Sequence, residues 1–179
     1  MKHDKLFLGG KTLSISEKFR ALRGGELYHY THMDNASELE KLNIVYSKSL
    51  LDTQGIKPVH ITDISSQSID KCRGFNNYVF LIFSHSHPLI YKKSNIENIS
   101  IGYFKIDVSI LDIPGVLIAD RVATDNCVNF YTPEEALKHL KIQYCHNDRI
   151  EDRAIWDEVK KYEILIPNYI DLNKYEIED

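Results

Sequence analysis

The sequence predicts an α+β domain built on a largely antiparallel sheet, and three observations carry that expectation. The chain has 179 residues, 43% of them hydrophobic and 27% charged, which suits one globular domain that buries its own core without disulfide or metal staples. Strand and helix signals follow one another without the regular alternation of an α/β protein. Three segments rich in Ile, Val, Tyr and Phe, at 78–84, 100–109 and 115–119, read as strands, and the first is apolar throughout and so belongs in mid-sheet.

The elements follow in order. In "SISEKFRALRGG", Ser14 and Glu17 form a capping box, Phe19 and Leu22 mark an apolar side, and Gly24 and Gly25 stop the chain; a short helix within 11–25, packed outside the sheet, is expected. A strand at 27–32 precedes a helix opening at Asp34 as N-cap, in which Ala36, Leu39 and Leu42 share a face. Residues 46–76 have little periodicity and many Ser, Asp, Asn and Gly. They are expected to form a long ligand-gripping loop with at most a short helix at 65–72, because loops of that length in compact domains tend to be functional. After the three strands, "TPEEALKHL" combines Thr132 as N-cap, Pro133 at the first helical position and Glu135 in a capping box. A charged helix at 149–160, a strand in "YEILIP" ended by Pro167, and a last strand in "KYEIE" complete the chain.

Composition narrows the function. The longest apolar runs, "YVFLIF" and "IPGVLIA", fall far short of the roughly 20 residues that cross a bilayer, and the opening "MKHDKLFLGG" lacks the apolar core of a secretory leader; a cytoplasmic address is expected. Cys72, Cys127 and Cys145 form no C-x-x-C pair and read as reduced structural thiols. A net charge of −4 lacks the basic footprint of a protein that grips duplex nucleic acid by its phosphates. It leaves room for an enzyme that meets one nucleotide at a time. There is no G-x-G-x-x-G, P-loop or G-x-S-x-G motif, which disfavours dinucleotide oxidoreductases, NTPases and the hydrolases those patterns mark.

Glu163 stands at the head of an apolar strand. Facing a cleft, it could be tuned for electrostatic or general-base work; at a sheet edge, it would be a solvated carboxylate. His29 alternates with Thr31, and Asn35 follows one helical turn later, so hydrogen-bonding groups can converge where strand meets helix. A satisfied core histidine is the competing reading. His85 and His87 in "SHSHP" have a spacing that could hold a metal, but no third ligand adjoins them in a recognisable zinc pattern. "ADRVATDN" at 119–126 places charge and small polar residues in a turn after a strand.

Taken in order, "LYHYTHMDN", "YVFLIFSHSHPLIY" and "KKYEILIP" resemble the DarT family of DNA ADP-ribosyltransferases, toxins of bacterial toxin–antitoxin systems. That family begins with a Tyr-His-x-Thr-His-x-Asp-Asn strand–helix start, continues with a Phe-rich strand ending in Pro-x-Leu-Tyr, and sets a catalytic Glu at the head of a late strand. "GVLIADRVATDN" is similar to its Val-Phe-Thr-Asp-Arg segment. The resemblance implies an ADP-ribosyltransferase-like fold, a mostly antiparallel sheet around an NAD cleft with flanking helices, in which 1–25 is an N-terminal helical extension and 26–179 the transferase domain. It implies NAD as co-substrate with no metal, Glu163 as the catalytic carboxylate, and His29 and Thr31 on the nicotinamide-ribose side. Asn35, Arg73 and Tyr91 would complete the cofactor-binding set, and Arg121, Tyr144, Arg153 and Tyr162 would meet the substrate, with Trp156 a further stacking candidate. Two departures stand out. The family places an arginine in a helix of the NAD-binding loop, where this chain offers only Arg73, and the chain is acidic, with Arg20 and Arg23 of the extra leading helix as a local positive surface.

The function so implied is mono-ADP-ribosylation of a nucleobase in single-stranded nucleic acid, DNA favoured, by a toxin or phage-defence protein with a cognate antitoxin. Unpaired bases can be read by stacking and by their hydrogen-bonding edges without a duplex-gripping face. RNA presents the same edges and is distinguished only at the 2′-OH. The alternatives are modification of RNA or protein, a catalytically inactive NAD- or nucleic-acid-binding module, and a metal-dependent nuclease using His85 and His87.

Overall fold

The computed structural model describes residues 12–146 and 150–177. Helix α1 (Ile15–Arg23) is set by local chemistry: Ser14 Oγ accepts the Glu17 N–H, the Glu17 carboxylate accepts the Ser14 N–H, and Gly24, at φ 92, ends the helix in a region open to glycine. Phe19 is fully buried and its ring stacks on Phe83 at 6.4 Å between centroids. Arg23 crosses to the carbonyls of Cys145 and Phe83. The leading helix is thus a layer over the sheet, as expected, and also supplies part of the core.

The chain next forms β1 (Glu26–His32), α2 (Met33–Leu42), β2 (Ile44–Tyr46), α3 (Lys48–Gln54), α4 (Ile64–Arg73), β3 (Tyr78–Ile82) and α5 (Pro88–Tyr91). Then come β4 (Ile101–Asp107), β5 (Leu117–Ala119), β6 (Phe130–Tyr131), α6 (Pro133–His139), α7 (Arg153–Val159), β7 (Glu163–Pro167), β8 (Tyr169–Asp171) and α8 (Leu172–Tyr175). Six strands make one antiparallel sheet in the order β4-β1-β3-β7-β5-β6, and β2 pairs with β8 in a separate ladder. β3 and β7 are central, which is why both read as nearly continuous apolar runs. No helix among the described residues is long and apolar enough to cross a membrane.

The pleat sorts side chains between two faces. Val79, Leu81 and Phe83 join Leu27, Ile106, Ile118, Ile164 and Phe19 in the main core, whereas Ile82 meets Tyr28 and Ile90 in a small cluster elsewhere. β1 pairs with β4 along seven residues but with β3 at one register pair, Tyr28↔Ile82. Past that pair the two strands part, and a cleft opens between them.

Three expectations need correction. α2 begins at Met33 with His32 as its cap, the His32 Nδ1 accepting the Asp34 N–H at 3.2 Å; the imidazole stands where Asp34 was expected to act. Residues 46–76 hold less loop than expected: the short helix allowed at 65–72 is present as α4, and α3 adds a second one, each closed by a left-handed glycine, Gly74 and Gly55. Neither helix has a fully buried residue, so neither carries a clean apolar stripe. The last strand is replaced by the single turn α8, after which Glu176 makes an isolated bridge to Ile106. Residues 147–149, at the approach to α7, lie outside the described residues.

If α1 is integral to the core, Phe19→Ala should cost ~3–5 kcal/mol of unfolding free energy. Urea titration followed by circular dichroism measures this, and a loss below ~1 kcal/mol would show that α1 is a dispensable appendage.

Candidate active site

The cleft between the parted strands has a volume of about 520 Å³ and reaches from β1 and α2, under residues 56–62, to α4, β3 and the turn at 122–124. That size falls within the range of small-molecule and cofactor sites. Its lining is mostly apolar, with a few polar groups converging at the sheet.

Glu163 heads β7 and is 7% exposed. Its Oε2 accepts the Ala123 N–H at 2.7 Å. Its Oε1 lies 3.3 Å from His87 Nε2, outside hydrogen-bond alignment. His87, 1% exposed, caps α5, and its Nδ1 accepts the Leu89 N–H. With Nδ1 acting as an acceptor there, Nε2 is the ring nitrogen that carries the proton. A backbone donor fixes one oxygen of Glu163, and the imidazole lies close to the other.

His29 fills the gap where β1 leaves β3. Its Nδ1 is 3.0 Å from the Phe80 carbonyl, which can only accept, so Nδ1 carries the proton and Nε2 is left as an acceptor. Burial lowers its pKa, with the Phe80 bond opposing, so the neutral ring is favoured. Thr31 is buried and its Oγ accepts the Asn35 amide at 3.1 Å. The same amide clasps Val59, with Nδ2 donating to the Val59 carbonyl and Oδ1 accepting the Val59 N–H. Asn35 thereby acts as one rung of a ladder, tying the segment before α4 to α2. A second tie follows at Asp63, whose carboxylate meets the Lys93 ammonium at 2.6 Å and Lys92 at 3.2 Å.

Arg73 does not line the cleft. Its guanidinium donates to the Ala123 and Asp125 carbonyls and to Asn126 Oδ1, each at 2.9 Å. The planar fork is committed to the turn at 122–126, which places it away from any pyrophosphate in the cleft. Lys48, which donates to the Gln67 side chain, and Lys57 line the cleft, as do His29, His60 and His87.

The remaining predicted residues lie elsewhere. Tyr91 is 63% exposed and outside the cleft, because its neighbour Ile90 takes the inward position of the short α5. Arg121 pairs with Asp120 at 3.1 Å on the turn, although its neighbours Val122, Ala123 and Thr124 do line the cleft. Tyr144 packs against the main core, and Tyr162, 1% exposed, donates its hydroxyl to Glu158, so burial removes it from any stacking surface. The Arg153 side chain is 84% exposed beside Asp157, and Trp156 is half-buried on α7. His85 bonds the Tyr30 hydroxyl and packs on Tyr28, away from His87, so the two histidines do not converge. Among the described residues no three His, Cys, Asp or Glu side chains group as metal ligands, and the three cysteines are free thiols.

Sequence reasoning missed several cleft residues, His87, Lys48 and Asp70 among them. His87 was visible only as half of a His pair, although the Pro after it is a helix-start signal. Lys48 lay in a stretch read as loop, and Asp70 in the short helix allowed at 65–72. Once α4 is recognised, the spacing of Asp70 and Arg73 places them side by side on one helix face.

The comparisons with known proteins agree with this geometry. The model of the DarT family, described as ssDNA thymidine ADP-ribosyltransferase, matches residues 28–175. Thermosipho africanus DarTG in complex with ADP-ribose superposes with a TM-score of 0.65 at 19% identity, covering 84% of this chain and 42% of that one. Thermus sp. 2.9 DarT in complex with ADP-ribosylated ssDNA gives 0.63 at 16% identity, covering 82% of this chain and 76% of that one. The same protein in complex with NAD+ gives 0.57 at 16% identity with the same coverage. The chain thus spans less than half of the Thermosipho protein and about three quarters of the Thermus one. No curated protein matches the sequence. With a family match that runs from β1 through α8, the chain belongs to the DarT family.

Proposed function

We propose that this chain is an NAD-dependent mono-ADP-ribosyltransferase that modifies thymidine in single-stranded DNA. The observation that carries the reading is a buried carboxylate, Glu163, held by a backbone donor at the wall of a cofactor-sized cleft. Breaking the bond between ribose and nicotinamide builds positive charge at the ribose C1′, and a fixed carboxylate in a water-poor site stabilises that charge without reorganising. Support for the co-substrate and the acceptor comes from the Thermus protein, which is solved with NAD+ and with ADP-ribosylated ssDNA.

The cleft residues divide the work by their chemistry. His29, neutral and with Nε2 as acceptor, and Thr31, whose hydroxyl can still donate, suit the amide and hydroxyl groups of the nicotinamide-ribose end. Lys48 and Lys57 supply the positive charge that a pyrophosphate requires. Asn35 and Asp63 hold the covering segment and need not touch the ligand themselves. The acidic chain is compatible with an acceptor strand read one base at a time. We read the protein as a toxin countered by a cognate antitoxin, a reading supported by its likeness to Thermosipho africanus DarTG.

Incubating the purified chain with labelled NAD and separate ssDNA, RNA and protein pools tests the acceptor. Label on thymidine-containing ssDNA is expected; label confined to RNA or protein would reassign the substrate, and label on none would favour a non-catalytic NAD binder. Glu163→Gln retains an oxygen for the Ala123 N–H and should fold normally while losing on the order of 10²–10³ in kcat, the scale of a deleted transition-state stabiliser. Retention of full activity would remove Glu163 from the mechanism. His87→Ala, which removes the imidazole beside Glu163 together with the α5 cap, should lower kcat by roughly tenfold with little change in the KM for NAD, the signature of an interaction made in the transition state. A change confined to KM would assign His87 to NAD binding instead.

A further inference from the structure

We propose that Asp70 is a second catalytic carboxylate, the general base that takes the acceptor's imide proton; the proposal rests on the reading of the chain as a thymidine transferase. Thymidine has one ring N–H, and transfer to that nitrogen must remove its proton. In the balanced step, the imide nitrogen bonds to the ribose C1′, the C1′–nicotinamide electron pair leaves with neutral nicotinamide, and the imide proton passes to an Asp70 carboxylate oxygen.

The site offers few other acceptors for that proton. Glu163 Oε2 is taken by the Ala123 N–H, and Oε1 lies 3.3 Å from the His87 ring without hydrogen-bond alignment. His87 Nδ1 is occupied by the Leu89 N–H. His29 retains Nε2, but burial makes the ring a weaker base than free imidazole. Asp70 lines the cleft from α4, and its Oδ1 is buried without a hydrogen-bond partner. A buried, unpartnered carboxylate oxygen is costly unless a ligand supplies the missing donor. An imide N–H is such a donor.

The electrostatics match the task. Burial first, and then the Glu163 charge on β7, push the Asp70 carboxyl up to about 6, against Lys48 on α3 and Arg73 on its own helix, which act to lower it. A carboxylate in that range is ionised at neutral pH and still a competent proton acceptor. The same shift has a consequence for stability. Because the folded carboxyl holds its proton more tightly than the unfolded one, folding is disfavoured progressively as pH rises from about 4 towards 6.

The test uses the full chain, NAD and a thymidine-containing ssDNA oligonucleotide, with transfer measured from pH 5 to 9 for the wild type, Asp70→Asn and Asp70→Glu. The expected wild-type rate rises with pH and levels off above a limb near 6. Asp70→Asn should transfer roughly 100-fold more slowly and lose that limb, its rate climbing with pH as hydroxide takes over the proton. Its KM for NAD should hold, and its melting temperature at pH 7 should not fall, because a charge with a buried, unpartnered oxygen has been removed. Asp70→Glu should restore part of the rate and the limb, which guards against a misfolded Asn variant. An Asp70→Asn enzyme within threefold of wild type, or one that keeps the limb, would overturn the proposal. A wild-type enzyme inactive on the oligonucleotide would instead overturn the functional reading, and this proposal with it.

Discussion

One residue, Ala123, holds the site together through the backbone groups on either side of its Cα. Its N–H is fixed to Glu163 and its carbonyl to Arg73, so the turn at 122–126 is clamped between the central strand β7 and the end of α4. The sheet supplies the rigid side of that clamp, since β7 lies between β3 and β5 and is buried over Glu163–Ile166. The helix supplies the other side, and Arg73 extends it with bonds to Asp125 and Asn126. A carboxylate that must stabilise a developing charge gains from a donor already in place, because no free energy is then needed to align it during reaction. The arginine that the resemblance would set on a pyrophosphate therefore bonds here to the backbone of the turn that holds Glu163.

The same arrangement sets the cleft's electrostatic problem. Two carboxylates, Glu163 and Asp70, face a mostly apolar space, with Lys48 and Arg73 as the nearest compensating charges. Like charges in a poorly solvated site raise the cost of ionisation, and burial with the Glu163 charge raises it for Asp70, whose buried Oδ1 has no donor. A ligand with cationic ribose character near one carboxylate and an N–H near the other would relieve both.

The framework was legible because its signals are local. The α1 capping box, the apolar β3 and β7 runs and the Thr132–Glu135 box all occur where sequence placed them, since each depends on residues within one turn or on a two-residue pleat. Glu163, His29 and Thr31 were found for the same reason: each sits in a strand whose pattern is clear. What could not be read depends on contacts between distant segments. Residues 46–76 looked like loop because α3 and α4 are half-buried against a cleft rather than a core, which erases the apolar stripe. The destination of the Arg73 fork, 50 positions along the chain at Ala123, follows from tertiary structure alone, as does the inward turn that hides Tyr162 and exposes Tyr91.

Helix α4 shows how one short element can serve both walls of the site. Asp70 and Arg73, three residues apart, lie side by side on the helix surface, so the arginine lowers the cost of the carboxylate while its fork reaches the 122–126 turn. Tilting the helix would move both groups together. At its start Asp63 is held by Lys92 and Lys93 from beyond α5, and α5 is capped by His87, the neighbour of Glu163. The contacts therefore close a loop through α4, the 122–126 turn, Glu163, His87 and α5 back to Asp63. In such a closed circuit no member can shift without straining the next. That mutual constraint, more than any single hydrogen bond, is what lets a small chain keep two carboxylates aimed into one cleft.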